Sequence, residues 1–330
     1  MPTSSGGGTP TYRSDNFLII KERTAPVQIP ALEALSRRLP RNHPKQAVIR
    51  GDLRKREIGY RGECSLDYYL EQLPDFFKQF RGIRLGSFQI DTLLVSQTCI
   101  VIVENKHFAG NIRFEERIQQ FTRTLNGQTQ SYSHPLPQVR RHQHLLSRWL
   151  DERGWATLPI HPLVAFTYPS SVISSEKPQP FIIRAEFLPE KVLSIAENHS
   201  AHILTESHLH LLSEQLKLAH KEPEYDPLSS YGIKPSELLT GVHCPRCNHL
   251  PMQRTSRSGW HCKRCTRKHL TAHVESLRDY RRLFKPRISN REARMFLHLP
   301  SASVTRHCLV NLNLPREGNY KNTRYLLHNL

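Results

Sequence analysis

The stretch VIVENKHFAG, residues 101–110, carries a run of β-branched residues into a glutamate, a lysine and then a glycine. Extended back to Cys99 it reads CIVIV, a composition suited to a buried strand. Side chains alternate across a strand. Ile100, Ile102, Glu104 and Lys106 therefore share one face, and Val101, Val103 and Asn105 the other. The first face ends in a carboxylate and an ammonium two residues apart, and Gly110 breaks the pattern. Such a pair is either a rim ion pair or a metal ligand beside a phosphate-binding cation. The stretch alone leaves both readings open.

Around it, GYRGECSLDYYLEQL from Gly59 reads as a helix with Leu66, Tyr69, Leu70 and Leu73 on one side. SFQIDTLLVS (87–96) and CIVIVENK (99–106) are strands, and the short gap between them predicts an antiparallel hairpin. NIRFE (111–115) is a third strand candidate. HPLPQVRRHQHLLSRWL reads as a helix opening after prolines, with Val139, Leu145, Leu146 and Trp149 inward. PLVAFTYP and PFIIRAEFL are further strands, and TESHLHLLSEQLKLAH a helix. No repeat occurs at a solenoid period.

The expected organisation is a low-complexity leader without fixed structure (1–17), a helical segment (18–58), an α/β domain (59–222) and a polar, proline-bearing linker (223–240). A cysteine module (241–272) and a basic helical module (273–330) complete it. No apolar run reaches the ~18 residues a membrane span needs. The N-terminus lacks a basic stretch followed by an apolar one, so a cytoplasmic protein is expected. Hydrophobic residues make up 38% of the chain, which excludes a wholly disordered protein. The net charge is +18, and it is unevenly placed. Residues 241–330 hold 18 Lys/Arg against 4 Asp/Glu; the first 240 hold 29 against 25. A concentrated surplus of this kind is the footprint of a polyanion binder, and nucleic acid is the expected partner.

Glu63, Asp91 and Glu104 interrupt otherwise apolar patterns. Buried carboxylates are costly unless paired or bound to metal, and converging ones need a cation to stay ionised together. Oxygen donors suit Mg²⁺ or Mn²⁺. In that reading Asp91 and Glu104 hold the metal, Lys106 positions a water or offsets charge on a phosphate, and Glu63 meets a second metal or orients a water.

In order and spacing, GYRGE (59–63), QIDTLLV (89–95), VIVENKHFAGNI (101–112) and HPLPQ (134–138) before a helix resemble the NERD (nuclease-related domain) family, which looks like a branch of the PD-(D/E)xK nucleases. The resemblance covers roughly residues 55–150. It matches Glu63 to the glutamate of the glycine-preceded helix, Asp91 to the strand aspartate, Glu104 and Lys106 to the ExK pair, and Gln138 to a glutamine opening the next helix. Two departures are His134, where an Asn is expected before Pro135, and His107, where the family often has a polar amide. The resemblance implies a restriction-endonuclease-like mixed sheet flanked by helices and a Mg²⁺- or Mn²⁺-dependent nuclease acting on DNA, or RNA. A nuclease-like fold that binds DNA or a protein without cutting is the alternative, and a regulator with a sensing domain a third.

Cysteine use points elsewhere. Of seven cysteines, an odd number, four form Cys244-x₂-Cys247 and Cys262-x₂-Cys265 across fourteen residues. Two such knuckles fill a tetrahedron, so a structural Zn²⁺ in a zinc ribbon is expected. His243, His249, His261 and His269 flank it as surface or supporting groups, unless one replaces a cysteine. Arg246, Arg264, Arg267 and Lys268 suit a phosphate backbone, and Arg254, Arg257 and Lys263 add charge. Trp260 either stacks on a base or packs beneath the knuckle, the second being favoured. Cys64, Cys99 and Cys308 read as packed thiols.

In the tail, Ser289 and Glu292 form a capping box, SASVTRHCLVNL is a second helix and LPREGNYKNTRYLL a turn-bearing hairpin. The order resembles a winged helix, although any three-helix element would look alike. On the winged-helix reading Ser303, Thr305, Arg306 and His307 face a groove, and Arg316, Lys321 and Arg324 the phosphates.

Overall fold

The computed structural model describes residues 18–155, 158–199, 201–255, 259–319 and 322–330; the expected leader, Arg257 and Lys321 lie outside them. In chain order, β1 (Ile19–Lys21) leads to α1 (Gln28–Arg38) and α2 (Gln46–Leu70), then β2 (Lys78–Leu85), β3 (Phe88–Val95) and β4 (Ile100–Lys106). Next come β5 (Asn111–Glu115), β6 (Gln120–Leu125), β7 (Gln128–Ser133), α3 (Pro135–Asp151), β8 (Ile160–Phe166), β9 (Val172–Ser175) and β10 (Ile182–Arg184). They are followed by α4 (Leu188–Glu197), α5 (Glu206–Ala219), α6 (Pro227–Tyr231), β11 (Gln253–Arg254), β12 (Trp260–His261) and β13 (Lys268–His269). The chain closes with α7 (Ala272–Leu283), β14 (Arg287–Ser289), α8 (Asn290–Leu297), α9 (Ala302–Val310), β15 (Arg316–Glu317) and β16 (Arg324–Leu326). Two compact units result. The first holds Gly59–Glu222 with the described residues up to Thr24; the second holds Ala25–Ile58 and Pro223–Leu330.

The first unit is the expected mixed sheet flanked by helices. Its six strands run β1-β2-β3-β4-β8-β10. The β3–β4 hairpin is antiparallel as predicted, while β8 joins β4 in parallel. On one face Ile100 and Ile102 pack with Val139 and Leu146 of α3 and Leu212 of α5. On the other, Val101 and Val103 meet Leu66 and Leu70 of α2 and Val192 of α4. Strand β4 is thus covered on both sides, which is why its apolar run is continuous. NIRFE is a strand, but of a second sheet ordered β7-β6-β5-β9.

One flaw in the sheet places the site. Strand alternation puts Phe80 and Ile83 on opposite faces, yet both lie in one core, as do Ile90 and Leu93. The ladder pairs Arg81 with Thr92 and Ile83 with Ile90, skipping Gly82 and Asp91. Gly82 has φ 76°, a conformation that glycine adopts without steric cost. Asp91 therefore sits where the pleat inverts.

The second unit combines segments expected to be separate: residues 25–58, the expected linker and the two C-terminal modules. Helix α2 runs unbroken through residue 58. Leu32, Leu35, Leu39 and Ile49 of the N-terminal helices share a core with Leu228, Ile233, Leu238 and Leu283. Residues 223–240 are folded rather than a linker: the Asp226 carboxylate accepts from the Leu228 and Ser229 N–H groups to cap α6, and Gly232 at φ 64° ends it. The three buried aliphatics outweigh the polar composition that suggested a connector. The cysteine module is a three-stranded sheet β11-β12-β13. Then α7, β14, α8, α9 and the β15–β16 hairpin follow, with sheet order β14-β16-β15. Ser289 and Glu292 form the expected capping box.

Candidate active site and cysteine cluster

Glu104 is 4% exposed near the end of β4, on the α3 face. Lys106 Nζ donates to Glu104 Oε1 at 2.8 Å and to Gln138 Oε1 at 3.1 Å, and Gln138 Nε2 donates to Glu104 Oε1 at 2.7 Å. Three side chains from two elements thus close a triangle. Its local cause is the two-residue spacing on β4 and the position of Gln138 in the first turn of α3, whose N-terminus is capped by the His134 ring accepting from Leu136 N–H. The His134 departure is therefore tolerated, since imidazole caps as an Asn would.

Asp91 comes from β3. Its Oδ2 accepts the Asn105 N–H at 2.9 Å, where the β3–β4 ladder has already ended at Thr92 and Val103. Burial, then the charge of Glu104, pushes the Asp91 carboxyl up to about 7. Glu63, on α2, is likewise raised to about 7, by burial first and Asp91 next, with Arg23 acting against the rise. Three carboxylates from α2, β3 and β4 are therefore close enough to oppose one another's ionisation. They do not close into a tight cluster. Among the described residues the four cysteines alone form a group of three or more ligand-type side chains within 4.8 Å of one another.

Residues 58–167 match the nuclease-related domain (NERD) family. No curated protein and no solved structure matches the chain. Glu63, Asp91, Glu104, Lys106 and Gln138 all fall within the matched residues, Glu63 on α2, Asp91 on β3, Glu104 and Lys106 on β4 and Gln138 on α3.

Two groups at the site escape sequence reading, and a third is marked there only as a departure. Arg23 donates to Glu63 and Asp67. His142 lies one turn beyond Gln138, its Nδ1 buried, without a hydrogen-bond partner among the described residues and 3.8 Å from Glu104 Oε2. The i, i+4 spacing from Gln138 was the available signal. His107, the second departure, stands against Gly62, and its Nδ1 meets Thr167 Oγ1 at 2.9 Å. Thr167 in turn donates to Asn105 Oδ1 at 2.8 Å, steadying the residue whose backbone holds Asp91.

In the second unit the Sγ atoms of Cys244 and Cys265 lie 3.6 Å apart, and those of Cys247 and Cys262 3.5 Å. Thiolates bound ~2.3 Å from one tetrahedral ion have nearly this separation. Asn248 and Thr266, each directly after a second knuckle cysteine, both have positive φ (53° and 58°), so the two knuckles turn alike. Trp260 is 1% exposed and donates to His273 Nδ1, so it packs rather than stacks on a base. His243 is buried too: its ring meets Arg38 and Ser276, away from any ligand role.

Arg246, Arg264, Arg267 and Lys268 are exposed on the ribbon, and Arg306 on α9. Arg324 is exposed but shares Glu292 at 3.0 Å. A groove of about 1430 Å³ runs past Arg291, Met295, Ser303, Arg306, Arg316 and Arg324. Thr305 is a correction: it is fully buried, and its hydroxyl donates to the Ser301 carbonyl one turn back on α9.

Proposed function

We propose that the protein is a metal-dependent nuclease whose second unit holds the nucleic acid, DNA being the favoured substrate. The observation that carries this is the Glu104–Lys106–Gln138 triangle beside an Asp91 whose ionisation Glu104 opposes. That donor set fits a hard divalent ion: Asp91 and Glu104 would hold it, and its charge would relieve their mutual repulsion. When bound, Mg²⁺ or Mn²⁺ supplies an acidified water and a polarised phosphoryl oxygen. Lys106, fixed by Glu104 and Gln138, orients a water and offsets charge on the phosphate. Asn105 holds Asp91 in place.

Charge supports the division of labour. The first unit has 20 Lys/Arg against 19 Asp/Glu, and the second 27 against 10. Residues 25–58 alone supply 8 against 3, beyond the C-terminal surplus that the sequence pointed to. A second groove, of about 770 Å³, brings Arg41 and Arg50 from this segment to Asn248 and Arg264 of the ribbon. The four cysteines hold a structural Zn²⁺ that fixes the ribbon's arginines. Among the described residues no helix is long and apolar enough to cross a membrane.

A binding protein that does not cut is the second reading, and the open spacing of Glu63, Asp91 and Glu104 favours it. Incubation of the zinc-loaded chain with DNA and RNA forms, with Mg²⁺ or Mn²⁺ and beside Glu104→Ala, decides between them. Cleavage lost in the variant, with nucleic-acid affinity kept, is expected. No cleavage of any form by the parent protein selects the second reading.

A further inference from the structure

Arg23 follows the edge strand β1, and its side chain is 4% exposed. Nε donates to Asp67 Oδ1 at 3.2 Å, and Nη2 to Asp67 Oδ1 at 3.0 Å and Thr92 Oγ1 at 3.1 Å. Nη1 donates to Glu63 Oε2 at 3.1 Å and to the Asp91 carbonyl at 3.0 Å. A guanidinium has five N–H donors, and all five are used here. The group is permanently charged and planar, and it binds in a fixed fork. It is thus a cation built into the chain, bridging two carboxylates one turn apart on α2 to the inverted stretch of β3.

We propose that Arg23 takes the place of a second metal ion in the nuclease-like site, so the centre takes one divalent ion, held from the Asp91 and Glu104 side, and Glu63 is a partner of Arg23 rather than a metal ligand. The inference rests on the metal reading above and revises the second-metal role expected of Glu63. Two features carry it. Glu63 and Asp67 are already engaged by a cation that cannot deprotonate. The Asp91 carbonyl, freed where the ladder skips Gly82, is spent on Nη1 and is not offered to an ion. A second divalent ion beside Glu63 would lie against the guanidinium, with little water to screen the repulsion.

The test is a titration of the zinc-loaded full chain with Mn²⁺, following free ion by its spin-resonance signal in 0.15 M salt. The parent protein should take up one Mn²⁺, Asp91→Asn none, and Glu63→Gln still one. Arg23→Gln, shown to be folded by circular dichroism, should gain a second and weaker equivalent that is lost again on adding Glu63→Gln. Two equivalents in the parent, one of them removed by Glu63→Gln, would overturn the inference while leaving the metal reading intact. A count that stays at one in folded Arg23→Gln would also overturn it. No Mn²⁺ bound by the parent defeats the metal reading, and this inference with it. The parent and Glu63→Gln counts decide the matter even where Arg23→Gln does not fold.

Discussion

Gly62 immediately precedes Glu63, and its replacement tests whether the carboxylates owe their closeness to backbone contact. A Cβ at Gly62 would lie 2.6 Å from His107 Cγ and 3.0 Å from Asn105 Nδ2, and nearer still to His107 Cβ. Ordinary carbon contacts are ~3.5–4.0 Å, so α2 and the end of β4 must part by about 1 Å. Gly59, in the same helix, has nothing within 4 Å of its would-be Cβ and serves as the internal control. Gly59→Ala should stabilise by ~0.5–1 kcal/mol through helix propensity alone. Gly62→Ala gains the same amount but meets an overpacking cost of ~1–3 kcal/mol, leaving it ~1–3 kcal/mol below the control.

The displacement reaches the metal side of the site through Asn105, whose N–H holds Asp91 and which moves with the end of β4. Mn²⁺ affinity should fall at least tenfold, equivalent to ~1.4 kcal/mol. Adding His107→Gly removes the two nearest obstructing atoms, so Gly62→Ala should cost at least ~1 kcal/mol less in that background, a coupling that a double-mutant cycle reads directly. Urea unfolding and Mn²⁺ titration of the four proteins provide the numbers. If Gly62→Ala matches Gly59→Ala in stability and keeps parental metal affinity, the close approach of α2 to β4 is not what assembles the site.

In the second unit, Asp279 is fully buried and accepts from Arg37 at 2.7 Å and Arg38 at 2.8 Å, and Arg38 is itself fully buried. Asp279→Ala strands that charge and should cost ~3–5 kcal/mol, measured by urea unfolding. DNA affinity should fall steeply with salt, and neutralising Arg246, Arg264, Arg267 and Lys268 should lower the log–log slope by about 1 for each phosphate left unpaired. Deleting residues 241–330 would be a poorer test, because Leu283 belongs to the core that also holds α1. For pH, Asp91 and Glu63 are raised to about 7 in the folded chain. At Asp91, the proposed ligand of the two, protons compete with metal below that value, so Mn²⁺ affinity should climb from pH 6 to 8, with proton release measurable by calorimetry in two buffers. Without divalent ions the sign for folding is opposite: native protein binds more protons than unfolded from about pH 4 to about 7, so these groups lower stability as pH rises through that window. Asp91→Asn should flatten the fall.

What sequence showed of the site is what lies close along the chain or follows a fixed period. Glu104 and Lys106 declare themselves by strand spacing, and the two cysteine knuckles by theirs. Asp91 appears as a charge within an apolar run. Arg23 has no such signature: it lies just past a short strand, 40 residues before Glu63, and only the parallel pairing of β1 with β2 brings it in. Likewise the core shared by α1 and residues 228–238 joins segments some 200 residues apart, and periodicity cannot report that distance. Thr305 differs for another reason: the polar run around it hides its place on the buried side of α9, where its hydroxyl is satisfied within the helix. Gly82 carries no sequence signal of its role, but the backbone it permits inverts the pleat at Asp91.

The charge partition gives these local features a common logic. A site that gathers Glu63, Asp91 and Glu104 in a unit of nearly zero net charge has no field to draw a polyanion, and ionised carboxylates repel phosphate at short range. On the proposed function, affinity for a polyanion would then come from elsewhere in the chain, and the second unit, with 27 Lys/Arg against 10 Asp/Glu, is the available source. The cations inside the first unit follow the opposite design. Arg23 spends all five donors on the protein, and Lys106 is held by Glu104 and Gln138. They are set against fixed acidic partners rather than left to gather phosphates, so on the proposed function any selectivity they confer would act on the reacting group and not on the length of strand bound.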